Sequence, residues 1–193
     1  YCQSAGMELP SSIATALFYG IKTDTMGLGR GAGEADVAAY FYLQSRVDVQ
    51  ALVDIERAQV PPEYFQGLVS ALESAYLYDN VLIAYIGEME RPDLTAEMAD
   101  LFLRLRGIDW VMCMGVYEDQ MTLSIRTNRQ HGAGQLIQSI VGDLGSAGGH
   151  GSMSAGQIPL DGQNPEILSH RLKERVLKHL EIDPDVAAEK LIA

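Results

Sequence analysis

The segment from Trp110 to Thr127 constrains the fold most, because it contains two apolar stretches separated by a short polar turn. The second stretch alternates along its length: Met121, Leu123 and Ile125 are apolar, and Thr122, Ser124 and Arg126 are polar. A period of two is typical of a strand with one face against a core. We therefore predict two neighbouring strands, at 110–117 and 121–127, joined by a turn.

Helical patterns surround these strands. Apolar residues at helical spacing predict helices over 11–20, 34–44, 62–76, 94–105 and 134–141, and a further strand covers 81–86. Asp183-Pro184 predicts the start of a short terminal helix. Pro61-Pro62 predicts a domain boundary, because a residue before proline is disfavoured in the helical conformation. Alternating strands and helices predict an α/β fold.

A second feature is the concentration of glycine around His150. Six glycines fall within fifteen residues, namely Gly142, Gly145, Gly148, Gly149, Gly151 and Gly156. Because glycine has no Cβ, successive backbone N–H groups can approach a ligand closely and form a concave anion-binding loop. A histidine beside that loop adds a donor whose charge changes near neutral pH. The stretch predicts a phosphate- or nucleotide-binding loop, with a mobile or tightly turned surface loop as the alternative.

The charge balance restricts the kind of ligand. The chain has 14 basic and 26 acidic residues and a net charge of −12, which disfavours a broad basic surface for long nucleic acid. Residues 120–160 are an exception, since Arg126 and Arg129 outnumber Asp143 there. This distribution favours a small local site for a mononucleotide or a short oligonucleotide.

Cysteine content and hydropathy indicate the cellular environment. The two cysteines, Cys2 and Cys113, are too few for a disulfide framework, so we expect a reduced, cytoplasmic setting. The chain contains no run of about 18 apolar residues, so we expect no membrane span.

Two motifs resemble a known family. The first consists of Gly148, Gly149 and His150, followed by Ala155 and Gly156. It is similar to the signature of the DHH-associated domain, the C-terminal half of the DHH phosphoesterases. These include RecJ-like exonucleases, oligoribonucleases that also dephosphorylate pAp, and cyclic-dinucleotide phosphodiesterases. Upstream, Ala14–Thr25 resembles the last motif of the catalytic DHH domain, which ends in Thr-Asp-Thr.

The resemblance implies a domain organisation. Residues 1–46 would be the helical end of the DHH catalytic domain, 47–62 a helical linker, and 63–193 the DHH-associated, substrate-binding domain, with a mixed β-sheet flanked by helices. No Asp-His-His motif occurs, the first histidine is His131, and the chain begins at Tyr1 without methionine. We therefore expect a piece of a longer protein in which the DHH motifs lie elsewhere.

The resemblance also implies roles for individual residues. Asp24 would be a ligand of a two-metal centre in the intact parent, with a turn aspartate bonded to nearby backbone as the alternative. Arg126, in a Ser-x-Arg setting, would contact substrate and open toward the helix before the glycine loop, with a solvated arginine as the alternative. His150 would contact phosphate or base, or else fix the loop. The implied substrate-binding residues are Arg126, Gly148, Gly149, His150, Ala155 and Gly156.

The function implied by the resemblance is the substrate-binding part of a manganese-dependent phosphoesterase acting on short oligoribonucleotides, pAp or dinucleotides. One carboxylate does not make a metal site, so we expect this chain by itself to bind no catalytic metal and to be inactive. A non-catalytic nucleotide- or RNA-binding module is the alternative. The expected partners are a small nucleotide or short oligonucleotide and the missing DHH domain; a homodimer is left open.

Overall fold

The computed structural model describes residues 5–183 and 186–192 of the chain. The chain divides into two compact units, Tyr1–Val60 and Pro61–Ala193, and the division falls at the predicted proline pair. The first unit is helical and the second is α/β. None of the helices in the described ranges has the length and apolar character that a membrane span requires.

From residue 5 onward, the N-terminal unit contains three helices. They are α1 (Ser11–Asp24), α2 (Glu34–Gln44) and α3 (Val49–Glu56). Their shared core contains Ala14, Phe18 and Leu43. The predicted helix over 11–20 ends too early, since α1 continues through Gly20. A glycine inside a helix costs only about 1 kcal/mol relative to alanine, which is too little to end it.

The C-terminal unit contains four α-helices and a sheet of seven strands among the described residues. The helices are α4 (Pro62–Glu73), α5 (Leu94–Phe102), α6 (Ala133–Val141) and α7 (Pro165–His179), and a 3-10 turn covers Gly142–Leu144. The strands are β1 (Tyr76–Tyr78), β2 (Val81–Glu88), β3 (Trp110–Tyr117), β4 (Gln120–Thr127), β5 (Ser146–His150), β6 (Met153–Pro159) and β7 (Glu189–Lys190).

The strand order is β5-β6-β4-β3-β2-β1-β7. Only the β2–β3 pair is parallel among the described pairs, and the others are antiparallel. The expected α/β fold with a mixed sheet flanked by helices is therefore confirmed. The predicted strand at 110–117 and the turn after it are also confirmed, and Glu118 and Asp119 occupy that turn with positive φ angles of 47° and 60°.

The sheet separates two cores. On one side, which we call the α6 face, apolar residues of β3 and β4 pack with α6 and α7. On the other side, the α5 face, residues of β2 and β3 pack with α4 and α5. Alternate residues of β4 point to opposite sides: Leu123 and Ile125 belong to the core on the α6 face, whereas Ser124 and Arg126 bond to α5. The predicted alternation thus assigns the polar side chains of β4 to the α5 face.

Two further predicted helix ends are wrong, and so is the predicted terminal helix. The helix over 62–76 ends at Glu73 because Tyr76 begins β1, and the helix over 94–105 ends at Phe102. Pro184 lies outside the described residues, but Glu189–Lys190 pairs with β1 as a strand where a terminal helix was expected. In both strand cases pairing at the sheet edge overrides a local helical pattern.

The N-cap of α7 gives a test of this architecture. The Asn164 side chain accepts hydrogen bonds from the backbone N–H groups of Glu166 and Ile167 at 2.9 and 3.1 Å. We expect Asn164→Ala to lower the free energy of unfolding by about 1 kcal/mol, because two helix-end donors lose their acceptor. Urea unfolding followed by the fluorescence of Trp110, the single tryptophan, measures this change. Asn164→Asp keeps an acceptor and is expected to retain most of the stability.

Candidate functional site

The glycine-histidine stretch forms a β-hairpin. Ser146–His150 pairs antiparallel with Met153–Pro159, and the chain reverses at Gly151, whose φ is 54°. The predicted loop conformation of Gly148, Gly149 and His150 is therefore wrong, since these residues lie in β5, whereas their role in binding a phosphate stays a prediction. The physical reason is that β6 offers a complete antiparallel partner, and ladder pairing uses backbone groups that a concave loop would leave free.

The register aligns the candidate residues across three strands. Met153 of β6 lies opposite Arg126 of β4 on one side and opposite His150 of β5 on the other. Directly opposed residues in antiparallel strands point to the same face. Arg126 and His150 therefore share the α5 face, separated by two strand spacings, or about 10 Å.

The next rows place the remaining signature residues. Ala155 lies opposite Ser124 and Gly148, so these three share the α5 face as well. Ser146, Gly148, His150, Ala155 and Gln157 are exposed there, and we call them the exposed strip. A Cβ added to Gly148 would meet nothing within 4 Å. The strip is thus an accessible surface made of His150 and of small and polar residues.

Two signature glycines face α6 instead. A Cβ on Gly156 would lie 2.9 Å from Val141 Cγ2 and 3.3 Å from Ile137 Cδ1. Gly149 lies opposite Ser154, so both point to the α6 face. The Ser154 hydroxyl donates to the Ala133 carbonyl at 2.8 Å. Gly156 therefore allows α6 to lie close against the hairpin, whereas a Cβ on Gly149 would collide with the paired strand, 2.3 Å from Ser154 Cβ. The sequence did not indicate either packing contribution.

Arg126 is largely buried and is paired with an acid on α5. It is 9% exposed. Its Nε donates to Asp100 Oδ1 at 2.8 Å and its Nη2 to Oδ2 at 3.4 Å, and its Nη1 donates to the Ile125 carbonyl at 3.1 Å. The expectation that Arg126 opens toward the helix before the hairpin is wrong, because the polar side of β4 faces α5. The alternative of a solvated arginine is wrong as well.

Other buried polar groups lie on the α5 face with Arg126, namely Thr95, Cys113 and Ser124. Ser124 and Thr95 bring their hydroxyl oxygens to 3.2 Å from each other. Burial raises the pKa of the Cys113 thiol above its ordinary value, although the Arg126 cation acts in the opposite direction. A thiol held neutral is a poor nucleophile and a poor metal ligand. Cys113 therefore contributes packing beneath the arginine.

Asp24 is the last residue of α1 and is exposed. It does not follow the helix as expected, because the helix extends to include it. The neighbouring hydroxyls bond back to helix carbonyls, Thr23 to Tyr19 at 2.9 Å and Thr25 to Ile21 at 2.6 Å. Within the described part of the chain the Asp24 carboxylate accepts no hydrogen bond, so it is not a turn aspartate bonded to nearby backbone.

Across residues 5–183 and 186–192, no three His, Cys, Asp or Glu side chains form a group that could hold a metal ion. Asp24 supplies one carboxylate, which is a ligand that hard cations prefer. The described residues therefore do not fit a two-metal centre by themselves, and the expected metal-binding behaviour of this chain stays a prediction.

Comparison with known proteins decides the family. The sequence profile of the DHHA1 domain matches residues 78–178, which include the hairpin and its signature. The chain belongs to the DHHA1 domain family. The expected resemblance to a DHH-associated domain is thereby confirmed.

Relatives of this DHHA1 chain are longer. It is 32% identical over 162 residues to an uncharacterized protein from Methanocaldococcus jannaschii, covering 83% of this chain and 33% of that protein. An exopolyphosphatase-related protein from Bacteroides fragilis has a similar structure, with a TM-score of 0.67, 14% identity, and coverage of 89% of this chain and 51% of that one. The chain thus spans about a third of the first relative and half of the second.

A third similarity is to RecJ from Thermus thermophilus, crystallised with Mg²⁺. Its identity is 16% and its TM-score is 0.44, with coverage of 80% of this chain and 22% of RecJ. A TM-score of 0.44 is too low to show a shared fold, whereas the Bacteroides fragilis structure, at 0.67, supports the fold.

Sequence reasoning missed Asp100. On α5 an acidic residue three positions after Glu97 is typical of a solvated helix face, and its partner Arg126 is 26 positions away. The pairing arises because α5 packs across β3 and β4. An arginine on the polar side of a buried strand was the available signal, since such a cation needs a counter-charge.

The two sets of glycines give a matched pair of variants. Gly156→Ala is expected to lower the free energy of unfolding by about 1–3 kcal/mol, because the new Cβ overpacks the contact with α6. Gly148→Ala, with open space at its Cβ, is expected to leave stability unchanged or to raise it by about 0.5 kcal/mol. Urea midpoints of both variants measure the difference; equal losses would show that the assigned faces are wrong.

Proposed function

We propose that the chain is the substrate-binding part of a metal-dependent phosphoesterase of the DHH family. The observation that carries the proposal is the alignment of Arg126 and His150 on one sheet face, on either side of Met153. An arginine and a histidine at about 10 Å suit a ligand with an anionic group and an attached nucleoside.

The proposed binding mode uses the exposed strip. Arg126 donates two-pronged or charge-assisted hydrogen bonds to a phosphate through the N–H groups that Asp100 and Ile125 leave free. His150 donates to a phosphate oxygen or to a base. The small residues Gly148 and Ala155 leave room for the ligand to lie against the strands. Binding energy at this surface aligns the scissile phosphorus for attack in the parent protein.

The chemistry itself belongs to the parent. In this family a two-metal centre, usually manganese, would activate the attacking water. Asp24 is proposed as one of its ligands, to be completed by residues outside this chain. The described residues do not form the centre by themselves.

Three observations support this choice of ligand class. The chain belongs to the DHHA1 domain family. The Bacteroides fragilis protein that shares its fold is described as exopolyphosphatase-related. The net charge of −12 disfavours long nucleic acid, whereas two arginines lie near the hairpin in sequence. Short oligoribonucleotides, pAp or dinucleotides are therefore the proposed substrates, in a cytoplasmic parent.

A non-catalytic nucleotide-binding module is the second candidate. Two observations favour it. The described residues contain no group of candidate ligands that could hold a metal ion, and the exposed strip lies entirely within this chain. For this chain by itself the two candidates give the same expectation, which is binding without hydrolysis. They differ in the parent, where the phosphoesterase requires turnover that depends on manganese.

Titration of pAp into the chain by calorimetry tests the site. His150→Ala is expected to weaken pAp binding about tenfold, because a hydrogen bond to a charged group is lost. His170→Ala, at an exposed position on α7, is the matched control and is expected to bind like the wild type. Equal affinities of all three proteins would contradict the proposed site.

The parent protein tests the reaction. With pAp and the dinucleotide pApA as substrates, we expect hydrolysis that stops when manganese is removed and that falls in the His150→Ala variant. Tight binding without hydrolysis, with or without manganese, would favour the non-catalytic module.

A further inference from the structure

We propose that Asp100 is a positioning residue of the phosphate site. Its carboxylate holds the Arg126 guanidinium in one orientation and keeps the remaining N–H groups available to a phosphate oxygen. The inference rests on the proposed function, because it needs Arg126 to bind phosphate. Asp100 itself makes no contact with the ligand in this proposal.

The geometry of the pair is two-pronged. Nε and Nη2 of Arg126 donate to the two different oxygens of Asp100, at 2.8 and 3.4 Å. Nη1 donates to the Ile125 carbonyl at 3.1 Å. A guanidinium has five N–H groups, so these three bonds leave two without an acceptor among the described residues. The paired bonds to Asp100 and the separate bond to the Ile125 carbonyl together fix the plane of the group.

The two partners differ in exposure. The side chain of Arg126 is 10% exposed, whereas that of Asp100 is 56% exposed. Water therefore screens the carboxylate far more than it screens the cation. The arginine keeps a large part of its charge for a ligand, although its orientation is set by the acid. A symmetric buried pair would instead neutralise itself.

The location of the pair supports a binding role for Arg126 and a positioning role for Asp100. α5 packs on β3 and β4, and Asp100 lies near its C-terminal end. Arg126 is thus at the border between the covered strands and the exposed strip on β5 and β6. A long side chain at such a border has many rotamers, and fixing it before the ligand arrives lowers the entropy lost on binding.

Positioning and simple electrostatics predict opposite changes in phosphate affinity when the Asp100 carboxylate is removed. Removing the Asp100 carboxylate makes the surroundings of Arg126 more positive by one charge, so electrostatics alone predicts tighter binding of a phosphate. Loss of positioning predicts weaker binding, because the guanidinium then has to be ordered by the ligand. The sign of the change in affinity therefore separates the two.

The experiment titrates pAp into the chain and its variants by calorimetry. We expect Asp100→Ala to weaken binding about tenfold and Asp100→Asn, which keeps one acceptor oxygen, to weaken it less. Asp100→Glu keeps the carboxylate and is expected to recover most of the affinity. Glu97→Gln removes a charge from the same helix, where Glu97 contacts Arg91, and is expected to bind as tightly as the wild type or slightly tighter.

A double-mutant cycle tests that Asp100 acts through Arg126. In an Arg126→Ala background, Asp100→Ala is expected to have no weakening effect. Trp110 fluorescence confirms that each variant is folded, and Arg126→Met, which keeps the apolar stem without the cation, supplies a second background if Arg126→Ala unfolds. Weakening by Asp100→Ala that persists in the background without the arginine would overturn the proposal.

Two further outcomes separate this inference from the proposed function. If Arg126→Ala weakens pAp binding but Asp100→Ala leaves it unchanged or tightens it, the positioning proposal is wrong and the phosphate site stands. If neither Arg126→Ala nor His150→Ala changes pAp binding, the phosphate site itself is wrong, and the positioning proposal is overturned with it.

Discussion

The close approach of α6 to the β5–β6 hairpin determines the orientation of the site residues. Gly156 provides the space that this packing needs, and Ser154 adds a hydroxyl bond to Ala133. Once alternate residues of β6 are committed to the α6 side, the remaining ones must point to the α5 face. A shift of the register by one residue would exchange the two sets and bury the candidate ligand-binding residues.

Much of the framework could be predicted from local patterns. Alternation in β4 placed Arg126 on a polar side, and the paired apolar stretches gave β3, its turn and β4. The polar side could not be assigned to a helix, because packing of α5 or α6 depends on contacts between distant segments. The ion pair with Asp100 joins residues 26 positions apart, and nothing near Asp100 in the sequence indicates it.

The first strand of the hairpin, β5, was missed for a different reason. Glycine has low strand propensity and no side chain to show alternation, so the stretch around Gly148 and Gly149 predicted a loop. Its strand conformation comes from pairing with β6, whose own residues alternate between buried and exposed. Glycines carry no side chains that show which side of a strand is buried. The buried and accessible sides of such a motif can therefore be assigned only from the strand that pairs with it and the helix that packs on it.

The separation of the hairpin into two faces also affects how this domain can diverge. Positions such as Gly156 are constrained by core packing, so exchange there carries a stability cost in any relative with the same helix. Exposed positions such as Gly148 and Gln157 lack that constraint. Residues can therefore vary along one side of a strand while the other side preserves the scaffold.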